Sequence, residues 1–157
     1  MISLRRTSTT FRSDRSWTFA LASEDLWARM TAVDEYPSWW SWLERFRPIG
    51  GFEPGARWSC TVVPPVPYDV SFSLLIDRVE PLREVHAQVV GDIRGDATLT
   101  LEPTDGGCTA RLRSQLAPAS PILRGVGSVA RPLVEWSHDW VLDQGQRQFV
   151  ERALDGD

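Results

Sequence analysis

The hydrophobic pattern at the start of the chain changes from alternation to helical spacing. Residues 16–21 alternate large apolar with small or polar side chains, which predicts a strand with Trp17 and Phe19 on one face. Ser23 is a favourable N-cap, and the two residues after it are acidic, which suits a first helical turn. Apolar side chains then recur at helical spacing, so a helix is predicted over residues 23–31.

A dense aromatic segment follows this helix. Residues 34–43 read Asp-Glu-Tyr-Pro-Ser-Trp-Trp-Ser-Trp-Leu, with a proline where a first helical turn tolerates one. The segment predicts a second short helix that carries Trp39, Trp40, Trp42 and Leu43. Each indole can bury about 150–250 Å² of surface. The cluster therefore either seals one end of a core or forms a gate over a cavity, and the pattern leaves both interpretations open.

After residue 46, turn signals and period-two alternation dominate the pattern. The alternating runs predict strands near residues 57–63, 68–76, 85–89, 98–102 and 109–116. Short turns between successive strands predict an antiparallel meander of about six strands with one face in water. The same alternation places His86, Arg111 and Arg113 on the outward face.

The strand pattern ends after Pro118 and Pro121, and one long C-terminal helix is predicted. Pro132 is expected to kink this helix or to break it at Arg131, because proline removes a backbone hydrogen bond. The apolar arc of the helix on a helical wheel consists of Ile122, Val126, Val129, Leu133, Trp136 and Trp140. The predicted fold class is α+β, with a curved antiparallel sheet wrapped around the long C-terminal helix and two short helices after the first strand.

Length and composition predict one domain over residues 1–157, with residues 1–13 as a flexible N-terminal segment. A hydrophobic fraction of 42% with 24% charged residues is typical of a soluble domain. The formal net charge of −4 gives no electrostatic footprint for nucleic acid. Neither a signal-peptide core nor a run of about 18 apolar residues is present, so we expect a cytoplasmic protein without a membrane span.

The residue types exclude several kinds of chemistry. All 17 basic residues are arginine, so a Schiff-base lysine is excluded. Cys60 and Cys108 are far apart, and no Cys/His cluster has the spacing of a metal site. The sequence also lacks a nucleophile elbow, a phosphate-binding loop and a dinucleotide fingerprint. We therefore expect neither a metal nor a cofactor.

Four segments carry a resemblance to a known family. They are the Trp27 helix with the Asp34–Trp40 segment after it, Gly91-Asp-Ile-Arg-Gly95, Leu101-Glu-Pro-Thr-Asp-Gly-Gly107 and Arg131-Pro-Leu-Val-Glu-Trp-Ser-His-Asp139. Through these segments the chain resembles the START-like superfamily (SRPBCC, Bet v 1-like helix-grip proteins), and particularly its polyketide cyclase/dehydrase branch. The resemblance implies a deep apolar cavity between the sheet and the last helix. Members bind lipids, sterols or polyketides, and some cyclise or dehydrate what they bind.

With a cavity in this place, candidate site residues can be named. His138 is the expected acid–base group, although its wheel position, about 90° from the centre of the apolar arc, leaves it facing either the cavity edge or solvent. Tyr68 is the expected proton donor. The candidate ligand-binding residues, expected to point between sheet and helix, are Trp40, Trp58, Phe72, Leu133, Trp136 and Trp140.

Three functions remain open from the sequence. The first is a cofactor-free cyclase or dehydrase that positions a flexible polyketide-like substrate. The second is a carrier or sensor that binds a lipid or aromatic metabolite without chemistry. The third, a protein-interaction module, requires a filled interior. The expected partner in the first two is a hydrophobic small molecule, and the chain is either a monomer or a homodimer.

Overall fold

The computed structural model describes residues 10–121 and 131–154, and for residues 131–135 it describes the backbone. The strands are β1 (Phe11–Phe19), β2 (Leu43–Ile49), β3 (Arg57–Val62), β4 (Val70–Glu80), β5 (Glu84–Gly91), β6 (Ile93–Thr104) and β7 (Gly107–Pro118). The helices are α1 (Ser23–Met30), α2 (Tyr36–Trp39) and α3 (Arg131–Phe149), with a 3-10 turn at Val33–Glu35 and a π-helical turn at Val150–Leu154.

The strands form one antiparallel sheet in the order β1-β7-β6-β5-β4-β3-β2. Each strand after α2 pairs with the next along the chain, and β7 ends beside β1. The meander of six strands after two short helices is therefore confirmed, as is the α+β helix-grip architecture with its long C-terminal helix. None of the described helices is both long enough and apolar enough to cross a lipid bilayer.

The inner face of the sheet carries the core. Alternate residues along the strands are buried there, including Trp58, Ile76, Ala87 and Ala110. Phe149 of α3 closes the core from the helix side and contacts Phe19 edge to face, with ring centroids 6.0 Å apart. Such edge-to-face pairs add about 0.5–1.5 kcal/mol beyond the area that they bury. The sheet thus holds α3 through aromatic contacts at the C-terminal half of the helix.

β1 begins earlier than the hydrophobic pattern predicted. Phe11 pairs with Leu116, and the pairing continues without a break to Phe19. Residues 11–13, expected to be flexible, therefore belong to the strand. Arg12 and Asp14 interrupt the apolar pattern in this part of the strand, because their side chains point to the water-exposed face. The backbone there is nevertheless paired with β7.

The aromatic segment is less helical than predicted. α2 ends at Trp39, and Trp40 is already extended, with φ −116° and ψ 102°. Trp42 and Leu43 are therefore not helical: the Trp42 carbonyl accepts a hydrogen bond from Val63 N at 2.8 Å, and Leu43 opens β2. β2 was not among the five runs named as strands, because its alternation is interrupted, with a register shift after Glu44. These strand hydrogen bonds override the helical spacing of the indoles.

Of two expectations about helix ends, the structure corrects the first, and the second lies outside the described residues. Ser23 is the first residue of α1 and is buried, whereas Ala22 occupies the N-cap position. The predicted N-cap is therefore one residue off. Pro132 lies in the first turn of the described part of α3. Ile122, Val126 and Val129, and with them any kink or break before Arg131, lie outside the described residues.

The outer face carries a charged cluster around His86. His86 Nδ1 lies 2.5 Å from Asp77 Oδ1, and His86 Nε2 lies 3.1 Å from Asp96 Oδ2. Gln88 Nε2 donates to the other oxygen of Asp77 at 3.3 Å. The Asp77 hydrogen bond is the main cause that raises the pKa of His86, and the same bond lowers the pKa of Asp77. The His86 side chain thus joins three neighbouring strands, β4, β5 and β6.

This cluster makes the stability of the fold depend on pH. The raised pKa of His86 contributes stability that is complete below its ordinary value of 6.5 and is lost as the pH rises through the folded-state value. The lowered pKa of Asp77 contributes stability that is complete above its ordinary value of 3.8. We expect His86→Gln to lower the free energy of unfolding by about 1 kcal/mol or less between these limits. Urea unfolding of both proteins from acid to alkaline pH checks this, and a difference that stays constant above neutrality contradicts it.

Candidate ligand-binding site

A cavity of about 320 Å³ lies between the inner face of the sheet and α3. Strands β1 and β3 to β7, helices α1 to α3, the segment between α2 and β2 and the loop between β2 and β3 contribute to its wall. The wall is almost wholly apolar. Its aromatic side chains include Trp17, Tyr36, Trp40, Trp42, Phe52 and Trp58. A cavity of this size and composition is typical of small-molecule sites, which measure about 300–1,000 Å³.

Tyr36 is the centre of the aromatic wall. Its ring centroid lies 4.7 Å from that of Trp40 and 5.8 Å from that of Trp58. The Tyr36 hydroxyl donates to the carbonyl oxygen of Met30, and burial raises the pKa of the phenol. The hydroxyl is thus neutral and already paired. Tyr36 therefore contributes a rigid surface and not an acid–base group.

Trp40 and Trp42 form the part of the wall that touches α3. Their rings are stacked, with centroids 5.5 Å apart and an interplanar angle of 23°. Trp40 Nε1 donates to the Gly145 carbonyl oxygen at 2.8 Å. A Cβ atom on Gly145 would lie 3.4 Å from Trp42 Cζ2, so the glycine brings the helix backbone close to both indoles. Both indoles face the cavity and the helix at once.

Trp39 has a different place in the cluster. It is 3% exposed and packs on Phe149 at 5.5 Å between ring centroids. Arg152 Nη1 donates to the Trp39 carbonyl oxygen at 3.0 Å. This hydrogen bond joins the backbone of Trp39 to the end of the C-terminal helix. Of the two interpretations of the cluster, sealing describes Trp39, which is buried in the core and also contributes to the cavity wall. Trp40 and Trp42 form the part of the wall that α3 holds.

His138 lies on the face of α3 that lines the cavity. It precedes Leu142 by four residues and Gly145 by seven, so the three share one side of the helix. The imidazole is half-buried, and this burial is the main cause that lowers its pKa. Arg15 on β1 also lowers the pKa, and Asp139 opposes both, with 3.9 Å between His138 Nδ1 and Asp139 Oδ1. The ring is therefore neutral at neutral pH, although it lies beyond the residues that line the cavity.

The middle of α3, residues 137–143, is held by polar contacts with β1 and with the loop between β3 and β4. Arg15 pairs with Asp139 at 2.8 Å and with Asp143 at 2.5 Å. Tyr68, in the loop between β3 and β4, has its hydroxyl 2.9 Å from Ser137 Oγ. Tyr68 therefore touches the helix one residue from His138, but it is not among the described residues that line the cavity.

The predicted ligand-binding residues are divided by the structure. Trp40 and Trp58 line the cavity. Phe72 packs against the core, outside the described lining, and the side chain of Leu133 lies outside the described residues. Trp136 is 50% exposed, and Trp140 is partly buried without lining the cavity.

The arc of α3 that faces the cavity differs from the predicted one. The lining residues are Val141, Leu142, Gly145, Gln146 and Phe149. Trp136 and Trp140 each stand five residues before a lining residue, which places them about 140° away around the helix. Repeats at four-residue spacing, Val141-Gly145-Phe149 and Leu142-Gln146, were the signal for the true face. Glycine and glutamine obscured it, because neither is apolar enough to count in a hydrophobic arc.

Solved structures share this fold at low sequence identity. The protein TTHA0849 from Thermus thermophilus is 16% identical with a TM-score of 0.75, over 94% of this chain and 99% of that one. The Zhui aromatase/cyclase from Streptomyces sp. R1128 is 12% identical with a TM-score of 0.74, over 92% and 93%. Norcoclaurine synthase from Thalictrum flavum, in complex with dopamine and hydroxybenzaldehyde, is 15% identical with a TM-score of 0.62, over 91% and 88%. Neither a family model nor a curated protein sequence matches this chain.

These likenesses concern the fold. Sheet order, the position of the two short helices and the long C-terminal helix agree with the architecture that the sequence segments indicated. An aromatase/cyclase of two domains from the steffimycin biosynthetic pathway, StfQ, matches with a TM-score of 0.66. The chain therefore has the helix-grip fold, which it shares with these aromatase/cyclases.

Proposed function

We propose that this protein binds a hydrophobic, largely planar small molecule in the cavity between the sheet and α3. The observation that carries the proposal is the aromatic wall: indole, phenol and phenyl rings surround about 320 Å³ of space with almost no polar surface. Rigid aromatic faces bind planar ligands at a low cost in conformational entropy. The cavity also argues against a protein-interaction module with a filled interior.

The activity that we propose for this site is cofactor-free cyclisation or dehydration of a polyketide-like chain. Two observations support this activity. The protein shares its fold with two aromatase/cyclases, and His138 supplies a neutral imidazole on the lining face of α3. His138 Nε2 or Nδ1 takes a proton from the carbon between two carbonyl groups, and the enolate carbon attacks a further carbonyl carbon of the same chain. Tyr68 is the proposed donor that protonates the resulting alkoxide to a hydroxyl group, which leaves Tyr68 as the phenolate. In the dehydration, the phenolate takes the second proton from the same carbon, the carbon–oxygen bond breaks as the carbon–carbon double bond forms, and the protonated His138 gives its proton to the departing hydroxide, which leaves as water.

Positioning accounts for most of the rate in this scheme. An enclosed chain reacts with itself at an effective molarity that lowers the barrier by about 7–11 kcal/mol at best. His138 lies one helical turn, about 6 Å, before the lining residue Leu142. The substrate must therefore extend along α3 from the aromatic cavity to the imidazole. This requirement favours an elongated substrate over a compact one.

A second function, carriage or sensing without chemistry, is favoured by one observation. Among the described lining residues, the titratable side chain is Tyr36, and its hydroxyl is committed to Met30. A ligand confined to the cavity would thus meet no acid–base group. Native mass spectrometry of the purified protein, which detects a co-purifying small molecule, tests binding under both functions.

Turnover separates the two functions. For a cyclisable poly-carbonyl substrate, we expect His138→Gln to lower kcat by about 10²- to 10⁴-fold, the usual contribution of a general base. Affinity for the same substrate should change little, because His138 lies outside the aromatic wall. Single-turnover assays and calorimetric titration measure the two quantities. Full activity in His138→Gln excludes the imidazole as base, and binding without product formation in the unmodified protein establishes the carrier.

A further inference from the structure

Gln146 is an exception within the cavity wall. Among the described residues that line the cavity, it alone has a polar side chain without an aromatic ring. It follows Leu142 by four residues on the lining face of α3. No hydrogen bond joins its amide to another described side chain, whereas the nearby Gln148 is paired with Ser41. An amide that faces an apolar cavity without a partner loses hydrogen-bond energy.

A second polar group lies beside this glutamine without a partner. Trp42 Nε1 is buried and has no hydrogen-bond acceptor among the described residues. Trp42 packs on Gly145, the residue before Gln146. The neighbouring Trp40 does not share this property, because its indole nitrogen is satisfied by the Gly145 carbonyl oxygen. The Gln146 amide and the Trp42 indole N–H therefore both lack a partner among the described residues, and both side chains line the same, otherwise apolar cavity.

We propose that Gln146 is the residue that orients the ligand, by a hydrogen bond to an oxygen atom of a planar, oxygenated aromatic molecule. This inference rests on the proposed binding function and specifies which end of the ligand faces the helix. The glutamine amide both donates and accepts, so a phenol or a ring ketone fits it, whereas a pure hydrocarbon leaves it unpaired. Trp42 Nε1, a second donor without a partner in the same cavity wall, is available to a further oxygen of such a ligand.

The alternative role for Gln146 is a solvated residue at the rim of the cavity. The two roles differ in what they predict for matched ligands. In the orienting role, replacement of a ligand hydroxyl by methyl costs affinity only while the glutamine is present. In the rim role, the cost is the same with and without the glutamine, because it reflects only the difference in hydrophobicity between the two ligands.

The test is a double-mutant cycle between protein and ligand, with 2-naphthol and 2-methylnaphthalene as probes. Calorimetric titration gives the affinity ratio of the two probes for the unmodified protein and for Gln146→Met, which keeps the length of the side chain. We expect the relative preference for 2-naphthol to fall about three- to ten-fold in Gln146→Met, the size of one neutral hydrogen bond. Affinity for 2-methylnaphthalene should be retained. Gln146→Leu provides a second variant with the same expected result.

The control is Gln144→Met, a glutamine on the same helix outside the described cavity lining. It should leave the affinity ratio unchanged. An equal ratio in Gln146→Met and the unmodified protein overturns the orienting role, while binding of 2-methylnaphthalene still supports the cavity. If neither probe binds the unmodified protein, the binding function itself fails. The two failures are therefore distinguishable.

Discussion

Replacement of Trp39 by alanine is expected to lower the free energy of unfolding by about 3–5 kcal/mol, the range for buried Trp and Phe truncations. Trp39 is 3% exposed, and its ring contacts Tyr36 at 5.3 Å and Phe149 at 5.5 Å. It also lies 5.7 Å below the guanidinium carbon of Arg29, a cation–π contact that alanine removes. Urea unfolding monitored by far-UV circular dichroism measures the loss.

Trp136 supplies the matched control for this prediction. It is also a tryptophan, but it is 50% exposed on the far side of α3. Trp136→Ala is expected to change the free energy of unfolding by about 1 kcal/mol or less, as for other surface substitutions. Equal losses in the two variants contradict the assignment of Trp39 to the core. A loss confined to Trp39→Ala supports its sealing role.

The sheet could be predicted from the sequence because its strands have one wet face. Residues 84–91 and 107–118 alternate buried and exposed side chains, and alternation is the signal of a half-buried strand. β2 lacks this signal, since Arg45 adopts a positive φ of 48° and the pairing shifts register beside it. An irregular backbone of this kind depends on the neighbouring strand, which no local pattern specifies.

The candidate site was predicted less completely than the fold. Trp40 and Trp58 were expected at the cavity and line it, whereas Trp136 was expected there and is half exposed. The predicted apolar arc of the helical wheel was drawn from residues 122–140, and this arc points away from the side of the helix that Gly145 occupies. Contact between a helix and a sheet depends on close approach as well as on hydrophobicity. Gly145 permits that approach because it has no side chain, and a hydrophobic wheel gives this no weight.

Substitution of Ala87 by phenylalanine is expected to abolish ligand binding while the fold is kept. Ala87 lies on the inner face of β5, between Ile76 on β4 and Ala97 on β6, and all three line the cavity. A phenyl ring there occupies the space in which we place the ligand. The free energy of unfolding should rise by about 0.5–2 kcal/mol, as for other cavity-filling substitutions.

The affinity for 2-naphthol measures the functional effect of Ala87→Phe. We expect the dissociation constant to rise at least about 100-fold, a change of about 2.7 kcal/mol in binding free energy. Gln88→Phe is the control, because the next side chain along β5 points to the exposed outer face. It should leave the affinity unchanged. Retained binding in Ala87→Phe would place the ligand elsewhere on the protein. A loss of affinity in a variant whose free energy of unfolding has risen can arise only from the filled cavity, because damage to the core lowers affinity and stability together.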